Sequence, residues 1–303
     1  MRAAAILGLG SSLRDLKPFQ TEAGVEWILG LPAEPAAADV VLIFGGDGTI
    51  HRHLTPIVKL GLPVLIVPAG SGNDFARALG LRKVKDSVAA WRQFVRNRGN
   101  VKTSDLGTIT PLQSSDGSAL RDALQRSAPD LRYFSCAAGC GLDTEIARLA
   151  NRFPRWLRAR GGYALSLPAA LAGFGAFPAK VLLPQPASPN EFVIHRSEPS
   201  VLVVCANTPV YGGGMRVAPQ ARMDDGKLDI CHVTDLNRFK LFCLFPTVYF
   251  GRHLAMHAVE YYQAARLRLE TEMPREVYAD GEYVCQTPVE IEVAPAALRV
   301  IVP

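Results

Sequence analysis

The 303-residue sequence has no apolar run long enough to cross a bilayer as a helix, which takes about 20 residues. Its most lipid-like stretch, Leu241–Phe250, is about half that length and is interrupted by Pro246. The apolar start after Arg2 is too short for a secretory segment and reads as a buried first strand. No CxxC pair occurs among the six cysteines, at 136, 140, 205, 231, 243 and 285, and no nearby histidine completes a metal set around Cys136 and Cys140. Free thiols in a reducing, cytoplasmic setting are the reading, against disulfides or zinc. Repeats and low-complexity tracts are missing too. So are blocks of one charge: 33 Lys+Arg against 28 Asp+Glu leave a net charge of +5. That charge suits anionic partners but is too diffuse for nucleic acid. The loose basic clusters Arg82–Arg98 and Arg148–Arg160 read as solvated helix faces.

What is present is a change of pattern along the chain. In the first hundred residues, Val40–Phe44 and Val64–Val67 are continuous apolar runs, as strands buried on both faces of a parallel sheet require. Helical spacing follows each of them, over 50–60 (with Pro56 inside), 74–80 and 87–95. Alternating strands and helices predict a doubly wound α/β domain. Past Val101, polar residues 112–130 read as a surface excursion. Short strand patterns follow at 133–138, 180–183, 192–195, 200–205, 228–233, 265–270, 276–278 and 289–293, broken by one helical stretch from Gly141 towards Phe174. These predict a β-sandwich. The chain thus divides into an α/β domain, residues 1–104, which 294–303 is a candidate to complete, and a β-sandwich domain, 105–293. A ligand cleft belongs between them.

Two loops leave the carboxyl ends of the buried runs, where open α/β sheets bind ligands. The first is Gly45-Gly46-Asp47-Gly48-Thr49, whose glycines let backbone N–H groups approach an anion and whose Thr49 is placed to cap the next helix. The second is Pro68-Ala69-Gly70-Ser71-Gly72-Asn73-Asp74-Phe75-Ala76-Arg77. Two glycine turns, each with a hydroxyl and a carboxylate, suit phosphate with magnesium better than an uncharged ligand. His51, Arg52 and His53 follow the first loop, either as a phosphate contact or as a surface helix turn, the second being favoured. The apolar stretch 163–177 is either core or the wall of a tail site, core being the commoner use.

These loops, at this distance, resemble the catalytic domain of the diacylglycerol kinase family, which includes bacterial lipid kinases and sphingosine kinases and shares a superfamily with NAD kinase. The later elements match in order: Asn207, Gly212-Gly213-Gly214-Met215, Asp224-Asp225-Gly226-Lys227, Gly251-Arg252-His253 and Asp280-Gly281-Glu282. The resemblance implies an ATP-dependent kinase acting on a hydroxyl of diacylglycerol or a related lipid at a membrane surface. It implies ATP held by Gly45, Gly46, Asp47, Gly48, Thr49, Ser71 (where the family usually has Thr), Gly72, Asn73, Asp74 and Arg77. Glu282 becomes the proton acceptor and Asp280 its organiser. Mg²⁺ is implied with the nucleotide and, structurally, at Asp225 with backbone oxygens of Arg222 and Lys227; plain hairpin chemistry explains that Asp-Gly turn equally well. A homodimer is compatible with the sequence. The competing readings are a soluble-substrate kinase of the NAD kinase type and a non-catalytic nucleotide- or lipid-binding regulator.

Overall fold

The computed structural model describes residues 1–112, 131–153, 162–234 and 236–303. Most of the polar 112–130 segment therefore lies outside the described residues. In the first layer, β1 (Arg2–Leu7), β2 (Glu26–Leu29), β3 (Val40–Gly45) and β4 (Val64–Pro68) form a parallel sheet in the order β2-β1-β3-β4. All six residues of β3 are buried, which is why its sequence shows no polar alternation. Leu13–Leu16 forms a short α1. Around the sheet lie α2 (Asp47–Leu60), α3 (Asp74–Ala78) and α4 (Val84–Asn97). Trp91 and Phe94 of α4 pack into the same core as Phe19 and Phe44.

β5 (Val101–Pro111) leads into the second half. There β6 (Arg132–Phe134), β8 (Phe177–Gln185), β9 (Ser188–Arg196), β13 (Arg266–Thr271) and β16 (Val289–Ile301) join β5 in one antiparallel sheet. The facing sheet contains β7 (Ala137–Gly141), β10 (Pro199–Ala206), β11 (Leu228–Thr234), β12 (Val259–Ala264), β14 (Glu276–Ala279) and β15 (Glu282–Gln286). Side chains at period two from both sheets meet in a closed core: Val181, Leu267, Leu269 and Ile291 from one, Cys140, Val203, Cys205 and Ile230 from the other. The fold is therefore α/β joined to a β-sandwich, as the patterning predicts.

The outer face of the second sheet is covered by α5 (Leu142–Ala150), α6 (Gly162–Gly173) and α7 (Arg238–Val248). Leu167, Ala170 and Leu171 of α6 are buried in this second core, and Phe177 in the first sandwich core, so the core reading of the 163–177 stretch holds where side chains are described. β16 belongs to both halves: it runs antiparallel to β5 and β13, and then Val300 pairs in parallel with Val64 of β4.

Candidate active site

The two glycine loops lie backbone against backbone. A Cβ on Gly70 would stand 2.4 Å from Cα of Gly46, so neither position has room for a side chain. Gly46, not Thr49, is the N-cap of α2. Thr49 falls in the first turn and is buried, its side chain within 2.6 Å of where a Cβ on Gly45 would sit and 2.5 Å of one on Gly8. Its expected capping role passes to the glycine because the chain is still extended there, with ψ −174° at Gly46. Asn73 has φ 58°, and its amide closes the second loop on itself, accepting from Gly70 N at 2.8 Å and donating to Gly70 O at 2.7 Å. Ser71 stands exposed at the loop tip, next to Gly72.

The carboxylates link these loops. Asp47 accepts from the N–H groups of Asp74 (3.1 Å) and Phe75 (3.2 Å), so the first loop caps the helix that follows the second. Burial, and then the charge of Asp74, push Asp47 up to about 6. Asp74 accepts from Arg77 Nη1 at 3.1 Å and from Gly213 N at 2.7 Å, joining the first half to the Gly212–Gly214 loop of the second. Burial raises its pKa as well, against the lowering by Gly213 and Arg77. Asp47 and Asp74 thus carry charge that their surroundings do not fully offset, which a cation brought by a ligand would relieve. The Arg77 side chain is 41% exposed.

Opposite them, Asp280-Gly281 is the two-residue turn between β14 and β15, with φ +51° and +85°, the pattern of a type I′ hairpin. The turn aims the Asp280 carboxylate inward. It accepts from Ser135 N (2.8 Å), Ser135 Oγ (3.1 Å), Cys136 N (2.8 Å) and Ala137 N (3.3 Å). These bonds fall at the gap between the end of β6 and the start of β7, where the 133–138 strand pattern breaks in two. His51 Nδ1 approaches the same carboxylate at 3.3 Å. His51 is therefore not a surface turn, the favoured reading of its sequence; its side chain is 13% exposed and faces the hairpin. Arg52 is exposed, bonding back to Gly48 O, and His53 bonds to Thr49 O. Burial alone would raise Asp280, but His51 and the N–H donors of Ser135 and Cys136 hold it below the usual carboxylate range. Glu282, one residue past the turn, places Oε1 2.8 Å from where a Cβ on Gly48 would be. The two halves thus bring Gly45–Gly48, Gly72, Asn73, Asp74, Asp280 and Glu282 to one place, with His51 added.

The structure does not bring the 222–227 turn into this set. Asp225 accepts from Lys227 N at 3.1 Å and Gln263 Nε2 at 3.4 Å, and Arg222 donates to Asp224. Gly226 N donates to Asp105 Oδ2 at 2.7 Å. One carboxylate whose oxygens already accept hydrogen bonds, plus two carbonyls, is a thin set for an ion that wants six oxygens. Among the described residues no group of three or more His, Cys, Asp or Glu is arranged around a metal-sized space. No step is assigned to a metal there. Asp105, which also accepts from Ala296 N at 2.7 Å, was not singled out by the sequence, since no motif or spacing marks it.

A pocket opens behind the Gly212–Gly214 loop. Leu142, Ile146, Val201, Val233, Leu241 and Leu244 give it an apolar lining around a volume of about 60 Å³. Asp143 is its buried carboxyl: Tyr211 Oη donates to Oδ2 at 3.4 Å, and Oδ1 has no partner among the described residues. Burial pushes Asp143 up to about 7.

A glycine-loop α/β domain facing a sandwich-borne carboxylate is the architecture of a phosphotransferase superfamily, and the comparisons agree. Residues 19–109 match the diacylglycerol kinase catalytic domain, and residues 136–302 match the YegS C-terminal NAD kinase beta sandwich-like domain. The chain belongs to the diacylglycerol kinase catalytic-domain family of the YegS type. It is 33% identical over 265 residues, 88% of this chain and 77% of the relative, to a diacylglycerol kinase of Mycobacterium tuberculosis. It is 25% identical over 273 residues, 88% and 78% of the two chains, to a diacylglycerol kinase of Bacillus subtilis. Among solved structures, a diacylglycerol kinase from Bacillus anthracis superposes with a TM-score of 0.64 at 18% identity, covering 100% of this chain and 97% of that one. An NAD kinase from Archaeoglobus fulgidus in complex with ATP gives 0.52 at 15%, covering 99% and 93%. These two show the fold.

Proposed function

We propose that the protein is an ATP-dependent lipid kinase that transfers the γ-phosphoryl group to a hydroxyl of diacylglycerol or a related lipid. The family and the relatives' names support the kinase. The observation that carries the lipid is the apolar pocket of Leu142, Ile146, Leu241 and Leu244, whose Tyr211 and Met215 flank the glycine loop that holds Asp74. A soluble dinucleotide would have no use for such a wall. Its volume of about 60 Å³ makes it the floor of a tail site rather than the whole of one.

In this reading the N–H groups of the two glycine loops receive the nucleotide's phosphates, and the exposed guanidinium of Arg77, braced by Asp74, adds positive charge. Magnesium carried by the nucleotide supplies charge neutralisation when bound. Glu282, over Gly48, takes the proton of the attacking hydroxyl, a step worth about 10²–10⁴-fold. Asp280 is a positioning residue: fully engaged by Ser135, Cys136 and His51, it fixes the hairpin that carries Glu282. Asp143, pushed up to about 7 by burial, can donate a hydrogen bond to a lipid oxygen inside the pocket.

Purified protein with labelled Mg-ATP should phosphorylate diacylglycerol or a related lipid in mixed micelles. Glu282→Gln should lose at least about 100-fold in rate while still binding ATP. Turnover of NAD but of no lipid would move the substrate to the soluble branch. A rate equal to buffer over a broad panel of lipids and soluble alcohols would leave only a binding role.

A further inference from the structure

Helix α7 is apolar on both sides, which a helix serving only to cover a core does not need. Its inner face is accounted for: Leu241, Leu244 and Val248 are buried and, with Phe245, wall the apolar pocket. Its outer face is bare. Phe239 is 76% exposed, Phe242 53% and, just past the helix end, Phe250 72%. Cys243 and Pro246 lie exposed between them.

Between Asp235 and Glu260 the charge along the chain has one sign. Residues 236–259 contain no Asp or Glu, while Arg238, Lys240 and Arg252 are all exposed. Arg238 and Lys240 occupy the first turn of α7, where Asn237 accepts from Lys240 N at 2.8 Å. Cations at that end oppose the helix dipole, so local helix stability does not account for them. An external anion does. Aromatic side chains beside cations, on a helix whose other face lines an apolar pocket, fit one kind of partner.

We propose that the outer face of α7, with Phe239, Phe242 and Phe250 inserted and Arg238, Lys240 and Arg252 on the head groups, docks the protein on an anionic lipid bilayer. The inference builds on the lipid-kinase reading, since it sets the pocket's wall at the surface from which a tail must come. Its test uses no ATP and no turnover, so the two can fail separately.

The full-length protein is mixed with vesicles of phosphatidylcholine alone or doped with phosphatidylglycerol, and binding is read by co-sedimentation. Wild type should bind the doped vesicles and lose affinity as salt is raised. Phe239→Ser with Phe242→Ser should weaken binding by about 100-fold, and Arg238→Glu with Lys240→Glu by tenfold or more. Both pairs are exposed, so melting temperatures should match wild type. A polarity-sensitive dye on Cys243, in a Cys285→Ser background, should shift to the blue on the doped vesicles. Wild type that ignores those vesicles overturns the proposal, as does a dye that reports water throughout. Folded Phe variants that bind vesicles like wild type but lose a dimer seen by size exclusion would assign the face to a second copy of the chain.

Discussion

Position 51 shows what one side chain adds to the site. Burial pulls the imidazole's pKa down, but the hydrogen bond and charge of Asp280, with the charge of Glu282, more than offset it and leave His51 above the ordinary value; Arg132 opposes them. Its folded pKa therefore exceeds its unfolded one. The stabilisation is complete below about pH 6.5 and is lost as pH rises through the folded value. Asp280 runs the other way: held low, it stabilises above about pH 3.9 and loses that as pH falls through its folded value. Between those limits the pair is at its best. Thermal melts of wild type should lose more stability as pH rises from about 6 to 8 than melts of His51→Asn, which keeps an amide near Asp280 without the titration. Parallel pH curves for the two proteins would reject the coupling. The sequence offers this residue either as a phosphate contact or as a surface turn and favours the turn, because its partner lies 229 residues away.

At the scale of elements, legibility followed burial. Val40–Gly45 and Val64–Pro68 could be read because both faces of each strand are covered. β12 and β15 could not: Val259–Ala264 and Glu282–Gln286 are mostly half-exposed and mix polar with aromatic residues without clean alternation. The Asp-Gly hairpin was visible as a dipeptide, but its inward clamp on Ser135 and Cys136 was not. Loop-on-loop contact is equally hidden in sequence, and it can be tested. A methyl on Gly70 meets backbone, Cα of Gly46 at 2.4 Å, and Asn73 Oδ1 at 3.0 Å, so the loops themselves must part. A methyl on Gly61 meets nothing within 4 Å, and only its φ of +63° is strained. Gly61→Ala should cost about 1 kcal/mol and leave Mg-ATP affinity alone. Gly70→Ala should cost roughly 1–3 kcal/mol and weaken Mg-ATP binding at least tenfold by calorimetry. Equal effects at the two positions would mean that the loops do not rely on each other.

For the molecule as a whole, the decisive strand is the last one. Residues 289–293 read as a sandwich strand and 294–303 as a candidate to complete the first domain, with the junction at Ala294-Pro295-Ala296-Ala297. It is a bulge inside one strand. Ala296 takes φ +51°, its N–H goes to Asp105, and the pairing with β5 shifts register between Ala294 and Leu298 before resuming. β5 likewise runs through residue 104 without interruption. Val289, Ile291 and Val293 thus sit in the sandwich core while Leu298, Val300, Ile301 and Val302 sit in the core of the parallel sheet. Four side chains buried at about 1.5–3 kcal/mol each contribute roughly 6–12 kcal/mol, comparable with the whole stability of a typical domain. Truncation after Ala294 should therefore unfold the glycine-loop half, with loss of ATP binding and of near-ultraviolet circular dichroism from Trp27 and Trp91, which pack together at 5.5 Å. Because two strands run through both cores, neither half can melt without stripping the other. The intact protein should show one calorimetric transition whose van't Hoff and calorimetric enthalpies agree. Two resolved transitions, or a truncated protein that still binds ATP, would mean that the halves stand independently and that the site between them is held by Asp74 and the Gly212–Gly214 loop alone.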